Sequence, residues 1–298
     1  MAASSNRLSA LLPSASVEIS SHGHQLARLR EHFAPGTEVT ITFLPGDNCG
    51  ANVETAAALR RAGFVPVPHI AARELASREV LNDFVARLRS EADVRRVLLI
   101  AGDVAAAKGP FRSSRDIAAT GLLEAHGISR VSIAGHPEGH PYLDPAATFR
   151  GLAAWRDWAG EANIGVDIVT QFCFEAAPIL HLLGELRARD IRLPVIIGLA
   201  GPATPATLTK FALRCGIGNS MRALRGQIGR YGRLLVDAGP DQVMQGLEAA
   251  PCEVTASITG FHLFPFGGLR KAHNWLRDAL EAAPQAVQPL APAAQPNP

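Results

Sequence analysis

Short apolar runs alternate along the chain with longer amphipathic stretches rich in Ala, Leu and Arg. The short runs indicate β-strands, and the longer stretches have the spacing of amphipathic helices. Eight strands are predicted in this way: Ser16–Ile19, Glu38–Phe43, Phe64–Ile70, Arg96–Gly102, Arg130–His136, Val166–Phe174, Leu193–Ala200 and Ile258–Phe264. The predicted helices are Val53–Ala62, Arg73–Ser90, Ser114–Ala125, Ala146–Glu161, Ala177–Ala188, Thr204–Cys215 and Leu269–Glu281, with a further helical segment at about Ser220–Gly246.

Such an alternation is compatible with a closed (β/α)8 barrel or with an open, doubly wound sheet. The Gly-x-Gly-x-x-Gly motif of the dinucleotide-binding open sheet is absent after the first predicted strand. In a (β/α)8 barrel, functional residues lie at the carboxyl ends of the strands. Six of the predicted strands end in polar residues, namely Glu18, Thr42, His69, Asp103, His136 to His140, and Gln171. We therefore predict an α/β protein with a single (β/α)8 TIM barrel.

The barrel is predicted to occupy residues 16–282, because the ends of the chain lack the strand and helix pattern. Residues 283–298 contain mainly Ala, Pro and Gln without apolar periodicity, which predicts a flexible tail. Residues 1–15 are predicted to be weakly ordered.

Charge and cysteine content exclude several classes of protein. The 29 basic and 27 acidic residues give a net charge of +2, too small to predict a nucleic-acid or membrane-surface patch. The cysteines are far apart and form no Cys-x-x-Cys pair, so neither a zinc site nor a disulfide framework is predicted. Because no export signal or long apolar segment is present, we expect a cytoplasmic protein.

Six segments in chain order resemble the methylenetetrahydrofolate reductase family. They are Ser16-Val17-Glu18-Ile19, Thr40-Ile41-Thr42-Phe43, Pro68-His69-Ile70, Ile100-Ala101-Gly102-Asp103, Gly135-His136-Pro137-Glu138-Gly139-His140-Pro141 and Thr170-Gln171-Phe172-Cys173-Phe174-Glu175. The last three are similar to the family's Leu-Arg-Gly-Asp, Tyr-Pro-Glu-x-His-Pro and Thr-Gln-Phe-Phe-Phe-Asp. Residues 261–266 also resemble its last strand, Phe-His-Phe-Tyr-Thr. Each segment is short, but together the segments occur in the same order as in the family and span most of the chain.

The resemblance implies an oxidoreductase that interconverts 5,10-methylenetetrahydrofolate and 5-methyltetrahydrofolate with NADH or NADPH, through FAD. It implies that Glu18 is the general acid that opens the imidazolidine ring. This role requires a carboxyl group that carries a proton near neutral pH. Taken by itself, Glu18 is more typical of a surface carboxylate, because glutamate is rarely buried.

The resemblance also implies contacts between Asp103, Gln171 and Phe172 and the folate. A carboxylate accepts paired hydrogen bonds well from the amino-pyrimidine edge of a pterin. Each residue has an alternative that the sequence leaves open: a helix N-cap for Asp103, a buried amide for Gln171 and a core aromatic for Phe172.

A second set of residues matches positions that contact the flavin in the family: Thr42, His69, Gly102, Asp103, Ser114, Asp116, His136 and His140. The histidines raise the alternative of a metal site. His136 and His140 are four residues apart, but Pro137 and Pro141 preclude the regular helix on which this spacing binds zinc. No metal is predicted.

Several departures from the family concern the cations that hold the flavin. The family's arginine is Ala101 here, and a lysine expected near Gly160 is missing. Lys108, Arg112 and Arg115 are candidate replacements. Two alternatives therefore stay open: a reductase without flavin, and a folate-binding or methyl-handling barrel without reductase activity. A homo-oligomer is compatible with either.

Overall fold

Eight parallel strands form a closed barrel in a computed structural model that describes residues 7–21, 25–140, 143–215 and 237–282. The strands are β1 Ser16–Ser20, β2 Glu38–Thr42, β3 Val65–Ala71, β4 Arg96–Ile100, β5 Arg130–Gly135, β6 Gly165–Thr170, β7 Val195–Ala200 and β8 Ile258–Phe264. Each pairs with the next in chain order, and β1 pairs with β8 to close the barrel. The predicted TIM barrel is confirmed.

Helices follow the strands and surround the barrel. They are α1 Gln25–His32, α2 Cys49–Arg61, α3 Arg78–Ala92, α4 Ser114–Ala118, α5 Leu122–Ala125, α6 Pro145–Ala162, α7 Ala176–Ala188, α8 Pro205–Arg214, α9 Asp241–Glu248, α10 Cys252–Thr255 and α11 Leu269–Ala282. Several helices begin at a polar capping residue. At the start of α2, for example, the Asn48 side chain accepts a hydrogen bond from the Ala51 N–H. Within the described ranges, no helix is long and apolar enough to cross a membrane.

Residues on each strand alternate between the helix layer and the barrel interior. Val17 and Ile19 belong to the large core between strands and helices. A small separate cluster of Val67, Leu98 and Val169, from three different strands, lies inside the barrel. Because side chains two residues apart share a face of a strand, this alternation turns Glu18 of β1 into the barrel interior.

The amino end of the barrel is filled by a buried ionic network. Arg96 donates to Glu38 Oε2 at 2.6 Å, to Ser132 Oγ at 3.0 Å, and to both oxygens of Asp167 at 2.9 and 3.0 Å. Ser132 also donates to Asp167 at 2.7 Å. Glu38 on β2, Arg96 on β4 and Asp167 on β6 point into the barrel, and these bonds satisfy their charges. The network closes this end of the barrel.

The structure differs from the predicted elements at several places. Helices α1 and α10 were not predicted, and α2 begins at Cys49, four residues before the predicted start at Val53. The predicted helix Arg73–Ser90 is a short 3-10 turn, Ala72–Glu74, followed by α3. The predicted helix Ser114–Ala125 is broken into α4 and α5, because Gly121 adopts a left-handed conformation with φ of 70° between them. Strand β6 ends at Thr170, four residues before the predicted end at Phe174.

Residues 8–15 are packed against the barrel, in contrast to the predicted weak order. Ser9–Ser14 form a 3-10 helix, and Leu12 within it and Leu8 directly before it are buried in the main core. Arg7 adds hydrogen bonds to the backbone and side chain of Thr255. Burial of two leucines stabilises this segment, whereas its sequence shows no periodicity. The predicted tail 283–298 and most of the predicted helix Ser220–Gly246 lie outside the described residues.

Candidate active site at the barrel mouth

Glu18 lies between two histidines at the carboxyl end of the barrel, here called the mouth. Its Oε2 atom is 3.8 Å from Nε2 of His69 on β3 and 3.9 Å from Nε2 of His262 on β8. The side chain of Glu18 is 19% exposed, so it is reachable from the mouth although the histidines are buried. The alternative of an ordinary surface carboxylate is wrong.

Ser16 orients one of these histidines. Its Oγ atom is 2.8 Å from Nδ1 of His262, and the same hydroxyl is 3.5 Å from the carbonyl oxygen of Phe261. With Nδ1 held in this way, Nε2 of the ring is turned toward Glu18. Sequence reasoning missed both Ser16 and His262 as site residues. For Ser16 the available signal was the two-residue spacing that places it on the same face of β1 as Glu18.

His69 is a neutral neighbour of Glu18. Burial lowers the pKa of His69 to about 4, an effect that the carboxylate of Glu18 opposes and His262 reinforces. No hydrogen-bond partner reaches its Nε2 atom among the described residues. His69 therefore carries no charge near pH 7 and does not form an ion pair with Glu18 at that pH.

Asp103 lies at the mouth, three residues after the end of β4. It is exposed in the bend after β4, and α4 begins only at Ser114, so the alternative of a helix N-cap is wrong. Cys215, at the end of α8, reports on both carboxylates. Burial raises the pKa of its thiol to about 11, and the negative charges of Asp103 and Glu18 add to this effect. The electrostatic effect of each carboxylate therefore reaches Cys215.

Gln171 directly follows β6. Its backbone N–H donates to the carbonyl oxygen of Gly135, and its side-chain Oε1 accepts from the N–H of Phe172 at 3.1 Å. The Phe172 N–H is thus bonded to a side chain instead of to a neighbouring strand, which explains why β6 ends at Thr170. It uses the acceptor of the amide and leaves the two N–H donors for other partners.

Phe172 lies behind the mouth instead of lining it. The side chain is fully buried and packs against Phe174, Phe264 and Phe266, with ring centroids 5.7, 5.6 and 4.7 Å away. In this position the ring offers no surface to a ligand. The prediction of a direct folate contact is therefore not supported, and the core alternative describes Phe172.

Two residues of the predicted flavin set lie close to the strand ends. Thr42 is the last residue of β2, pairs in register with Ser20, and has a buried hydroxyl without a hydrogen-bond partner among the described residues. Gly102, directly before Asp103, has φ of +94°. A side chain there would be strained, so glycine is required by the turn itself.

His136 and His140 form a ring pair after β5, with centroids 4.8 Å apart and planes at 80°. Burial lowers the pKa of His136 to about 4, and a smaller effect of His140 acts in the same direction. Residues 7–21, 25–140, 143–215 and 237–282 contain no group of three or more side chains placed to hold a metal ion.

Ser114 and Asp116, the other residues of the predicted flavin set, lie at the start of α4. Asp116 Oδ2 accepts from the backbone N–H groups of Arg112 and Ser113 at 2.7 and 2.9 Å, which caps α4, and Ser114 is the first residue of that helix. Lys108 forms an ion pair of 2.5 Å with the buried carboxylate of Glu74.

The third cation considered, Arg115, points away from the strand ends. Its guanidinium donates to the carbonyl oxygen of Ala154 and lies 5.0 Å from the ring centre of Trp155, both on α6. Of the three candidate replacements, this leaves only Arg112 exposed and without a described side-chain partner. Near the segment after β4, Arg112 and Arg73, whose guanidinium donates to the carbonyl oxygen of Ala105, are then the remaining cations for a pyrophosphate.

Comparison with known proteins gives a likeness of fold. No family model matches the chain. A solved structure described as an uncharacterized protein from Clostridium thermocellum that binds two copies of 5-methyl-5,6,7,8-tetrahydrofolic acid superposes with a TM-score of 0.56 at 11% identity, covering 90% of this chain and 93% of that one. An endo-beta-1,3-glucanase from Amycolatopsis mediterranei gives a TM-score of 0.45 at 16% identity, covering 91% and 100%.

Proposed function

We propose that this chain binds a reduced folate at the barrel mouth and interconverts 5,10-methylenetetrahydrofolate and 5-methyltetrahydrofolate with a reduced nicotinamide. The observation that carries the proposal is the position of Glu18, a partly exposed carboxyl group inside the barrel with buried imidazoles on two sides. Such a group can deliver a proton to a ligand that enters the mouth, while the barrel wall excludes most of the solvent.

The proton from Glu18 is needed to open the five-membered ring of the substrate. The acid protonates N10, the bond between N10 and the one-carbon bridge breaks, and an iminium forms at N5. A hydride from the nicotinamide then reduces the iminium carbon to a methyl group. Solvent returns the proton to Glu18, so the net reaction consumes one NADH or NADPH and one proton. A neutral His69 suits this role, since a cation there would favour the charged carboxylate.

Asp103 and Gln171 are proposed to hold the pterin ring. Asp103 is exposed in the bend after β4, and its carboxylate can accept two hydrogen bonds from an amino-pyrimidine edge. The side-chain N–H donors of Gln171 are available to a pterin acceptor. The likeness of fold to the Clostridium protein, described as binding 5-methyltetrahydrofolic acid, supports folate as the ligand class.

FAD fits the described residues poorly, although the family resemblance implies it. Flavin dinucleotides carry a pyrophosphate that needs positive or hydrogen-bonding partners. Here Lys108 is paired with Glu74, Arg115 faces α6, and the Asp116 carboxylate caps α4. We therefore propose direct hydride transfer, with nicotinamide and folate bound together.

The second candidate is a folate-binding or methyl-handling protein without reductase activity. The poor fit to FAD favours it, because the same barrel and pterin contacts would remain.

Three measurements on the purified protein separate these versions. Titration calorimetry with 5-methyltetrahydrofolate tests binding, and no heat of binding would contradict both candidates. Oxidation of NADH that depends on methylenetetrahydrofolate supports the reductase, whereas binding without turnover supports the second candidate. Intersecting double-reciprocal plots are expected for direct transfer. Parallel plots together with visible flavin absorbance would contradict the flavin-free version.

A further inference from the structure

Residues 101–110, here called the Asp103 loop, lie against the 3-10 turn that follows β3. The loop contains bends and no helix or strand. It is bonded to the turn near both of its ends. The Arg73 N–H donates to the carbonyl oxygen of Ala101 at 2.9 Å, and the Lys108 N–H donates to the carbonyl oxygen of Arg73 at 2.8 Å. The position of the loop at the mouth therefore depends on the turn beneath it.

Two further contacts hold the middle and the far end of the loop. The guanidinium of Arg73 donates to the carbonyl oxygen of Ala105 at 2.6 Å. At Gly109 a Cβ atom would lie only 2.4 Å from the carbonyl oxygen of Leu75 and 2.3 Å from that of Ala76. The two backbones can approach this closely because glycine has no side chain.

Glu74 is the buried acidic residue of the turn. Its side chain is 1% exposed, and the ammonium group of Lys108 lies 2.5 Å from its Oε2 atom. Apart from this ammonium group, no described residue donates a hydrogen bond to either carboxylate oxygen. A buried carboxylate strongly favours a cation beside it, so the pair ties the far end of the Asp103 loop to the barrel.

Glu74 also lies close to the near end of the loop. A Cβ atom at Gly102, directly before Asp103, would be 3.8 Å from Cγ of Glu74 and 3.4 Å from Cβ of Ala71. One buried side chain thus borders the backbone next to Asp103 and holds the cation five residues further on.

We infer that Glu74 is a positioning residue for Asp103. This inference rests on the proposed function, in which Asp103 accepts hydrogen bonds from the pterin. Glu74 is too buried to contact a ligand itself and acts through the loop, because its pair with Lys108 fixes the backbone that carries Asp103. A loop that is ordered before the ligand arrives costs less free energy on binding.

The test combines two substitutions, singly and together, with a matched control. Glu74→Gln keeps the shape of the side chain and removes the charge that holds Lys108, whereas Asp103→Asn removes the proposed pterin acceptor. The control Glu91→Gln makes the same change in an exposed pair with Arg87 on α3. Hydrogen exchange measures the order of the Asp103 loop, calorimetry measures the affinity for 5-methyltetrahydrofolate, and thermal unfolding establishes that each variant is folded.

Glu74→Gln should speed amide exchange in the Asp103 loop and weaken binding of 5-methyltetrahydrofolate by roughly 2- to 12-fold, the cost of ordering a side chain on binding. Glu91→Gln should change neither quantity. Because Glu74 acts through Asp103, Glu74→Gln should weaken binding by less than about 2-fold once Asp103→Asn is present.

A role in general stability alone would make the two losses of affinity independent, so additive effects would overturn the inference. Unchanged exchange in the Asp103 loop would overturn it as well. If folded Glu74→Gln binds the folate as tightly as the original chain does, the inference is wrong while the proposed function stands. If the original chain does not bind this folate, both are wrong.

Discussion

Nε2 of His69 lies 3.8 Å from Oε2 of Glu18, and the two side chains come from β1 and β3 on the inner face of the barrel. At this distance a protonated histidine would hold the carboxylate in its charged form. Burial keeps His69 neutral instead, with a pKa of about 4. His69 is therefore uncharged near pH 7, and the energetic cost of charging it can be measured directly.

The first prediction concerns stability in acid. The pKa of His69 is lower in the folded chain, about 4, than its ordinary value of 6.5. Between these values the unfolded chain binds more protons, so stability should fall as the pH falls from about 6.5 to 4. The free energy of unfolding should fall between pH 7.5 and pH 4.5. In His69→Gln this fall should be smaller by on the order of 2 kcal/mol. Urea unfolding at both pH values measures it.

His136 and the carboxyl groups also titrate in this range, so only the difference between the two proteins is diagnostic. Equal losses of stability in the original chain and in His69→Gln would show that His69 is not buried in its neutral form.

The second prediction concerns the ionic network at the amino end of the barrel. Arg96→Met would leave Asp167, whose side chain is 4% exposed, with Arg130 as its neighbouring cation; Nε of Arg130 is 3.8 Å from Asp167 Oδ2, and its side chain is 57% exposed. Removal of one partner of a buried pair costs about 3–5 kcal/mol, and because Arg130 remains, chemical denaturation should show a loss toward the lower end of this range. Arg192→Met is the control, because its pair with Asp190 is exposed and should contribute little. Similar small effects of both variants would refute a stabilising role for the network.

A third prediction tests the close packing of β7 against the mouth. A Cβ atom at Gly198 would lie 2.2 Å from the carbonyl oxygen of Thr170 and 2.7 Å from the ring of Phe264. Gly198→Ala should therefore destabilise the chain by about 1–3 kcal/mol, since the Thr170 backbone or the Phe264 ring must move. Gly184→Ala on α7 has open space around the new methyl group and should stabilise by about 0.5–1 kcal/mol. Thermal unfolding compares the two, and a neutral Gly198→Ala would contradict the packing described.

The barrel could be predicted from the sequence because its strands are short, apolar and regularly separated by helices. Glu18 and His69 could also be placed at the mouth, since each lies near the carboxyl end of a predicted strand. Those inferences need only local patterns and the general architecture of the barrel.

The contact between Ser16 and His262 could not be predicted in the same way. The two residues are 246 positions apart, and they meet only because β1 and β8 pair with Ser16 opposite His262. Phe172 was misplaced for a related reason. The chain leaves the β-ladder after Thr170, so the alternation of faces no longer predicts where the next side chains point.

The most direct test of the account is the folate-dependent oxidation of NADH by Glu18→Gln. Glutamine keeps the shape of the side chain but cannot deliver a proton, and a positioned general acid contributes about 10²–10⁴-fold. We expect kcat to fall by that factor, while the affinity for 5-methyltetrahydrofolate, measured by calorimetry, stays within a few-fold of the original value. Turnover equal to that of the original chain would contradict the account, because it would remove Glu18 from the reaction.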